Sequence, residues 1–271
     1  MIIPITLVQA IDVHAHFGKY SNRPNAQLNG FMSGDAEVIL QRARMAGTEL
    51  SIVSPLQALT PRGHNDPVTG NRSAADVVSK NQGLLQWVVI DPLKPETFEQ
   101  AASMLANPRC VGIKIHPEEH CYSIREQGRV LFEFAARHQA VILTHSGEGN
   151  SMPEDFVPFA DDFPEVRLIL AHLGCGHDGD PTHQVRAIQA GKQGNIFVDT
   201  SSAQSLMPHL IEWAVAEVGA ERILYGTDSP LYFAPMQRAR IDHAEISEND
   251  KRCILRSNAM RLLDLKGVTS L

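Results

Sequence analysis

The chain has 271 residues, 43% of them apolar and 20% charged, with a formal net charge of −7. That length buries a full core without disulfides, and the composition excludes a disordered or fibrous chain. The acidic balance argues against nucleic acid or an anionic membrane surface as partner and leaves a small-molecule substrate.

No apolar run approaches the roughly 18 residues that a membrane span needs. The apolar first ten residues lack a basic flank and run into Asp12-Val13-His14, so they are read as leading into a first strand and not as a signal peptide. The cysteines, Cys110, Cys121, Cys175 and Cys253, form no C-x-x-C pair. Reduced thiols and a cytoplasmic location are expected.

Eight short runs rich in Val, Ile and Leu centre near Ile11, Ile52, Val88, Ile113, Ile142, Ile169, Phe197 and Leu224. Runs of this kind suit strands buried on both faces of a parallel sheet. Helices are predicted between them. The first covers 36–46 and stops at Gly47, and Pro95 opens a second over 95–106. Others cover 125–138, 153–163 and 204–218, and Ser247 caps a final helix that runs to about Leu265. Residues 55–71 read as a long loop. Strands alternating with helices predict an α/β fold, a (β/α)8 TIM barrel in a single domain over 1–271. An open doubly wound sheet has less support, because no strand leads into G-x-G-x-x-G.

Such a barrel carries its active site at the C-terminal ends of its strands. Five of the twelve histidines fall there: His14, His16, His116, His145 and His172. The eighth strand ends in Gly226-Thr227-Asp228-Ser229-Pro230. His14 and His16 stand two apart on one strand, so both imidazoles enter the barrel mouth and suit one cation. His145 and His172 each follow an apolar run and precede a small-residue turn. Taken singly, each also reads as a core histidine. Asp228 reads as metal ligand and general base, or as the N-cap of the next helix. Lys114 lies inside an apolar strand, which leaves three readings: pairing with a carboxylate at the rim, a clamp for a substrate anion, or a carbamylated bridge between two metals. His116 shares its face and is a substrate-binding candidate. Arg62 and Tyr122, in the loops after the second and fourth strands, are further substrate-binding candidates. Arg62 also reads as a solvated arginine.

Taken together, these segments resemble the amidohydrolase superfamily, in the amidohydrolase 2 branch that includes aminocarboxymuconate-semialdehyde decarboxylase. The residues that carry the resemblance are Asp12-Val13-His14-Ala15-His16, Gly112-Ile113-Lys114-Ile115-His116-Pro117, Thr144-His145-Ser146-Gly147, Ala171-His172-Leu173-Gly174 and Tyr225-Gly226-Thr227-Asp228-Ser229-Pro230. The resemblance implies one divalent metal on His14, His16, His145 and Asp228, with zinc expected first. Manganese and iron also suit imidazole and carboxylate ligands. It implies that His172 polarises the water or the substrate, and that a second metal, if present, uses Lys114 and His172.

The leading expectation is metal-assisted hydrolysis of an amide, ester or lactone, with Asp228 as base and His172 beside the developing oxyanion. The alternative on the same ligands is a metal-dependent decarboxylase, lyase or hydratase. A non-catalytic ligand-binding barrel is a minor third reading. A homodimer is expected on base rates.

Overall fold

The computed structural model describes residues 8–265. The predicted approach to the first strand and any leader reading of the start therefore lie largely outside the described residues. The elements run β1 (Ala10–Phe17), α1 (Ala26–Phe31), α2 (Ala36–Met45), β2 (Thr48–Pro55), α3 (Pro67–Lys80), β3 (Leu84–Val89) and α4 (Glu96–Met104). They continue with β4 (Cys110–Ile115), α5 (Pro117–His120), α6 (Ile124–His138), β5 (Val141–Thr144), α7 (Pro153–Asp162), β6 (Leu168–Leu170), α8 (His183–Ala190) and β7 (Ile196–Asp199). The last are α9 (Leu210–Val218), β8 (Ile223–Leu224), α10 (Ala234–Asp242), α11 (Glu248–Arg252) and α12 (Asn258–Leu262).

The eight strands form one parallel sheet in sequence order. β8 approaches β1 through hydrogen bonds from Val13 N to Tyr225 O (2.9 Å) and from Asp228 N to His14 O (2.7 Å). This is a single-domain (β/α)8 barrel, and all eight strand expectations are met. Inside it, Ile11, Ile52, Trp87, Leu143, Ile169 and Leu224 pack together, and Leu262 at the end of α12 and Leu263 just after it join them. Trp87 donates its indole N–H to Val13 O at 2.8 Å, which satisfies the one polar atom of a fully buried ring. Gly112 makes room for that ring: a Cβ there would stand 2.7 Å from it and 2.4 Å from Val141 O.

Two helix expectations and one loop expectation change. Residues 204–218 do not form one helix, because Pro208 pushes Met207 to an extended conformation (ψ 133°). A 3₁₀ turn precedes the break and α9 follows it. The 55–71 loop ends earlier than expected: Asp66 accepts from Thr69 N, Pro67 takes the first turn, and α3 begins there. The final helix is capped by Ser247 as expected, but it passes through a π-helical stretch, Cys253–Ser257, before α12. No helix among the described residues is long and apolar enough to cross a membrane, and all four cysteines are free.

Candidate metal centre

The strand ends surround a cavity of about 200 Å³ lined by His14, His16, Lys114, His116, His145, His172 and Asp228. The aim of the first two depends on a bulge. Asp12 pairs with Ser51 but Ala15 pairs with Val53, so three residues of β1 match two of β2. Bulges beside active sites re-aim side chains. Here Val13 packs with the barrel interior while His14 and His16 still face the cavity. Asp12 lies under the bulge, accepting from His14 N (3.1 Å), Thr227 N (3.0 Å) and Thr227 Oγ1 (2.6 Å). Burial pushes its carboxyl up to about 8 against those hydrogen bonds.

His14, His16 and Asp228 each place one donor atom within 4.8 Å of the others, and all three are buried. Asp228 Oδ1 lies 2.9 Å from His16 Nε2 and 3.6 Å from His14 Nε2. Asp228 is no helix cap: Phe233 holds that position before α10. Its backbone is left-handed (φ 55°), as is that of His172 (φ 72°).

The outer nitrogens of the imidazoles are already committed. His14 Nδ1 donates to Asp199 Oδ2 at 2.9 Å. His16 Nδ1 lies 3.1 Å from Ser54 O and 2.9 Å from Ser54 Oγ. His145 Nε2 lies 3.1 Å from Glu148 Oε1, and His172 Nδ1 lies 2.8 Å from Ser201 Oγ. Metal-binding histidines are normally held in this way, with the second nitrogen on a carboxylate, carbonyl or hydroxyl. The inner nitrogen of His14, left as a lone pair 3.6 Å from Asp228 Oδ1, attracts a positive charge. Lys114 supplies one, with Nζ 3.0 Å from His14 Nε2. The donor chemistry also fits a divalent cation.

Titration agrees with the donor roles. Burial, and then the charge of Lys114, push His14 well below the usual imidazole range. Burial lowers His172 to about 4 and Lys114 to about 8. Burial raises the Asp228 carboxyl, but the hydrogen bond from His16 and the electrostatic pull of the imidazoles of His16, His14 and His172 together outweigh it and hold the group at about 2. At neutral pH His14 and His172 are therefore neutral, and Lys114 and Asp228 are charged.

Of the four expected ligands, the structure gathers three. It sets His145 with His172, whose Nε2 is 3.1 Å from His145 Nδ1. His172 also forms a trio with His14 and Asp199. Lys114 is fully buried and lies against His14 inside the cavity, so the rim reading gives way. His116 stacks on His145 with ring centroids 4.2 Å apart. Its Nδ1 accepts from Glu119 N at 3.3 Å, which leaves Nε2–H as a donor.

Two substrate-binding candidates move away. Tyr122 packs in the apolar layer with Ile90, Ile115 and Phe132, outside the cavity lining. The Arg62 guanidinium is outside the lining too and is taken up by Glu119 (3.3 Å) and Glu148 (3.6 Å). Sequence reasoning missed Asp199, Ser201 and Glu148. Asp199 ends β7, and an acid at a barrel strand end was the available signal.

A family profile described as Amidohydrolase matches residues 11–265. The chain belongs to the amidohydrolase family and is an enzyme of that superfamily. No curated protein matches the sequence. Among solved structures it is similar to 2,6-dihydroxybenzoate decarboxylase from Rhizobium, at 17% identity and a TM-score of 0.74, covering 96% of this chain and 99% of that one. It is also similar to the dihydroxybenzoic acid decarboxylase of Polaromonas sp., solved with manganese and 2-nitroresorcinol. That match has 16% identity and a TM-score of 0.72, covering 95% and 97%. A third is 5-carboxyvanillate decarboxylase from Sphingomonas paucimobilis, at 13% identity and a TM-score of 0.70, covering 94% and 99%. At such identities the likeness establishes the fold.

Proposed function

We propose that this enzyme is a metal-dependent, non-oxidative decarboxylase of a small aromatic carboxylate, and not primarily the hydrolase that the motifs suggest first. The observation that carries the proposal is the cavity of about 200 Å³ with His14, His16 and Asp228 among its lining residues. Drug-sized ligands need roughly 300 Å³ or more, so this space suits one ring with short substituents. The named reactions of the three similar structures, all decarboxylations of aromatic acids, point the same way.

His14, His16 and Asp228 would hold the ion, with His145 beside them. A bound divalent ion supplies positive charge that anchors an anionic substrate and stabilises charge developing on it. Manganese fits these ligands as well as zinc does. His116 offers its Nε2–H to a substrate oxygen. Lys114, which would give up His14 Nε2 to the ion, adds positive charge to the cavity. The carbon–carbon bond to the carboxyl group breaks, carbon dioxide leaves, and a proton takes its place on the ring. Solvent water is the source of that proton, and Asp228 and His172, ionised and neutral at neutral pH, are the cavity side chains placed to relay it.

A second reading, hydrolysis, is favoured by one observation: the Asp228 carboxylate lines the cavity beside His14 and His16, where it can take a proton from water. One experiment separates them. The protein is stripped with chelator, reloaded with manganese, zinc or iron(II), and given hydroxybenzoates in D2O beside aryl esters, lactones and amides. Carbon dioxide release with one deuterium on the vacated ring carbon is expected. Ester, lactone or amide cleavage without carbon dioxide from any acid would overturn the proposal in favour of hydrolysis.

A further inference from the structure

Around the cavity runs a chain of polar contacts whose outer members, Asn22, Arg62, Glu119 and Glu148, the reaction as described does not use. Arg62 N donates to Asn22 Oδ1 (2.9 Å), and Asn22 Nδ2 donates to Glu119 Oε2 (2.7 Å). Arg62 Nη2 lies 3.3 Å from Glu119 Oε1 and 3.6 Å from Glu148 Oε2. The other oxygen of Glu148 meets His145 Nε2 at 3.1 Å, and His145 Nδ1 faces His172 Nε2 at 3.1 Å. One continuous path thus links the loops after β1, β2, β4 and β5 to the inner imidazoles.

The backbone carrying Glu148 is itself fixed. Ser151 N donates to Glu148 O (2.9 Å), and Gly147 N donates to Ser151 O (3.0 Å). Next to it, Glu118 accepts from both Asn150 N (2.6 Å) and Asn150 Nδ2 (3.0 Å). A carboxylate only accepts, so the nitrogen of His145 that faces Glu148 must carry the hydrogen. Glu148 therefore selects the nitrogen that His145 turns inward, and Arg62 helps keep Glu148 in place.

We propose that Glu148, braced by Arg62, is the positioning residue that locks His145 with Nε2–H outward and Nδ1 toward His172 and the metal site. The inference rests on the reading of this cavity as a metal centre and is independent of which bond the enzyme breaks. Arg62 thereby has a task other than meeting substrate: its guanidinium is occupied by two carboxylates.

The test uses Glu148→Gln, Arg62→Met and the double variant, each first checked for wild-type far-UV circular dichroism. Affinity for Mn2+ is measured without substrate by competition with a chromophoric chelator. The nitrogen and proton shifts of the His145 ring are followed by NMR in the metal-free protein. Glu148→Gln should weaken Mn2+ binding about tenfold or more, in the range found for partners of metal-bound histidines. Arg62→Met should weaken it less, and the double variant should match Glu148→Gln alone, because both act through one contact. The His145 ring should carry hydrogen on Nε2 in the wild type and lose that preference in Glu148→Gln. Affinities within twofold of wild type, or fully additive losses, would overturn the inference. If the wild type takes up no divalent ion, the metal-centre reading fails, and the NMR result alone decides: an Nε2–H lost in Glu148→Gln supports the role of Glu148, and an unchanged ring overturns it.

Discussion

Replacing Asp199 by asparagine tests the centre most directly, because the change keeps the side chain's shape while removing its charge and turning one acceptor into a donor. Asp199 is fully buried at the end of β7. Its Oδ1 accepts from His172 N (3.0 Å), Ser201 N (2.9 Å) and Ser201 Oγ, and its Oδ2 accepts from His14 Nδ1 (2.9 Å). An amide keeps the first oxygen and turns an NH2 toward His14. Flipping it instead puts the NH2 against two backbone N–H groups. In the first pose a donor faces a donor, costing about 1–3 kcal/mol, or the His14 hydrogen moves to Nε2. That move points an N–H at Lys114 and Asp228 and removes the lone pair a metal needs. Loss of such a supporting carboxylate weakens metal binding about 10- to 100-fold, or about 1.4–2.7 kcal/mol. Chelator competition with Mn2+ and Zn2+ reads the affinity. Thermal unfolding of the metal-free protein reads the stability, expected to fall at about 2–4 °C per kcal/mol. Metal affinity within twofold of wild type, with His14 still carrying its hydrogen on Nδ1 by NMR, would refute the reasoning.

Three further outcomes are expected. Lys114 has its folded value lowered from 10.5 to about 8, so between those pH values the unfolded chain holds the extra proton and this group's contribution to stability rises with pH. In metal-free protein Lys114→Met should exceed wild type in stability at pH 7, by at most on the order of 3 kcal/mol. Denaturant unfolding should show the gap closing toward pH 10.5, and a gap independent of pH would contradict the buried charge. Gly147 has φ +100°, and a Cβ there would stand 2.3 Å from Cys175 O, so Gly147→Ala should lose about 2–5 kcal/mol in the same assay. A loss under about 0.5 kcal/mol would show that the loop is not held in this conformation. The Tyr122 hydroxyl is buried without a hydrogen-bond partner among the described residues, so Tyr122→Phe should hold or raise stability and leave KM unchanged. A raised KM would restore the substrate-binding role.

Much of the barrel was legible because its signals are local. A buried parallel strand needs an unbroken apolar run, and each of the eight runs became a strand. Helix ends were legible where a single residue decides them, as at Ser247. They failed where the deciding residue was read as part of something else. Pro208 broke 204–218, and Asp66-Pro67 started a helix inside an expected loop.

The sequence by itself determined the fold class, the rim where the chemistry lies, and three converging donors, His14, His16 and Asp228. Strand ends lie on one face of a barrel whatever the side chains do. Only the tertiary structure decided what each group faces. The β1 bulge sets the aim of His14, and Asp199, 185 positions away, sets its tautomer. His145 is drawn to His172 by a contact spanning 27 positions. Arg62, which looks like a free cation in the sequence, is spent on glutamates 57 and 86 residues further along. Hydrogen-bond direction and ion pairing depend on atoms within about 3–4 Å, and only the closed barrel brings residues so distant in sequence that close.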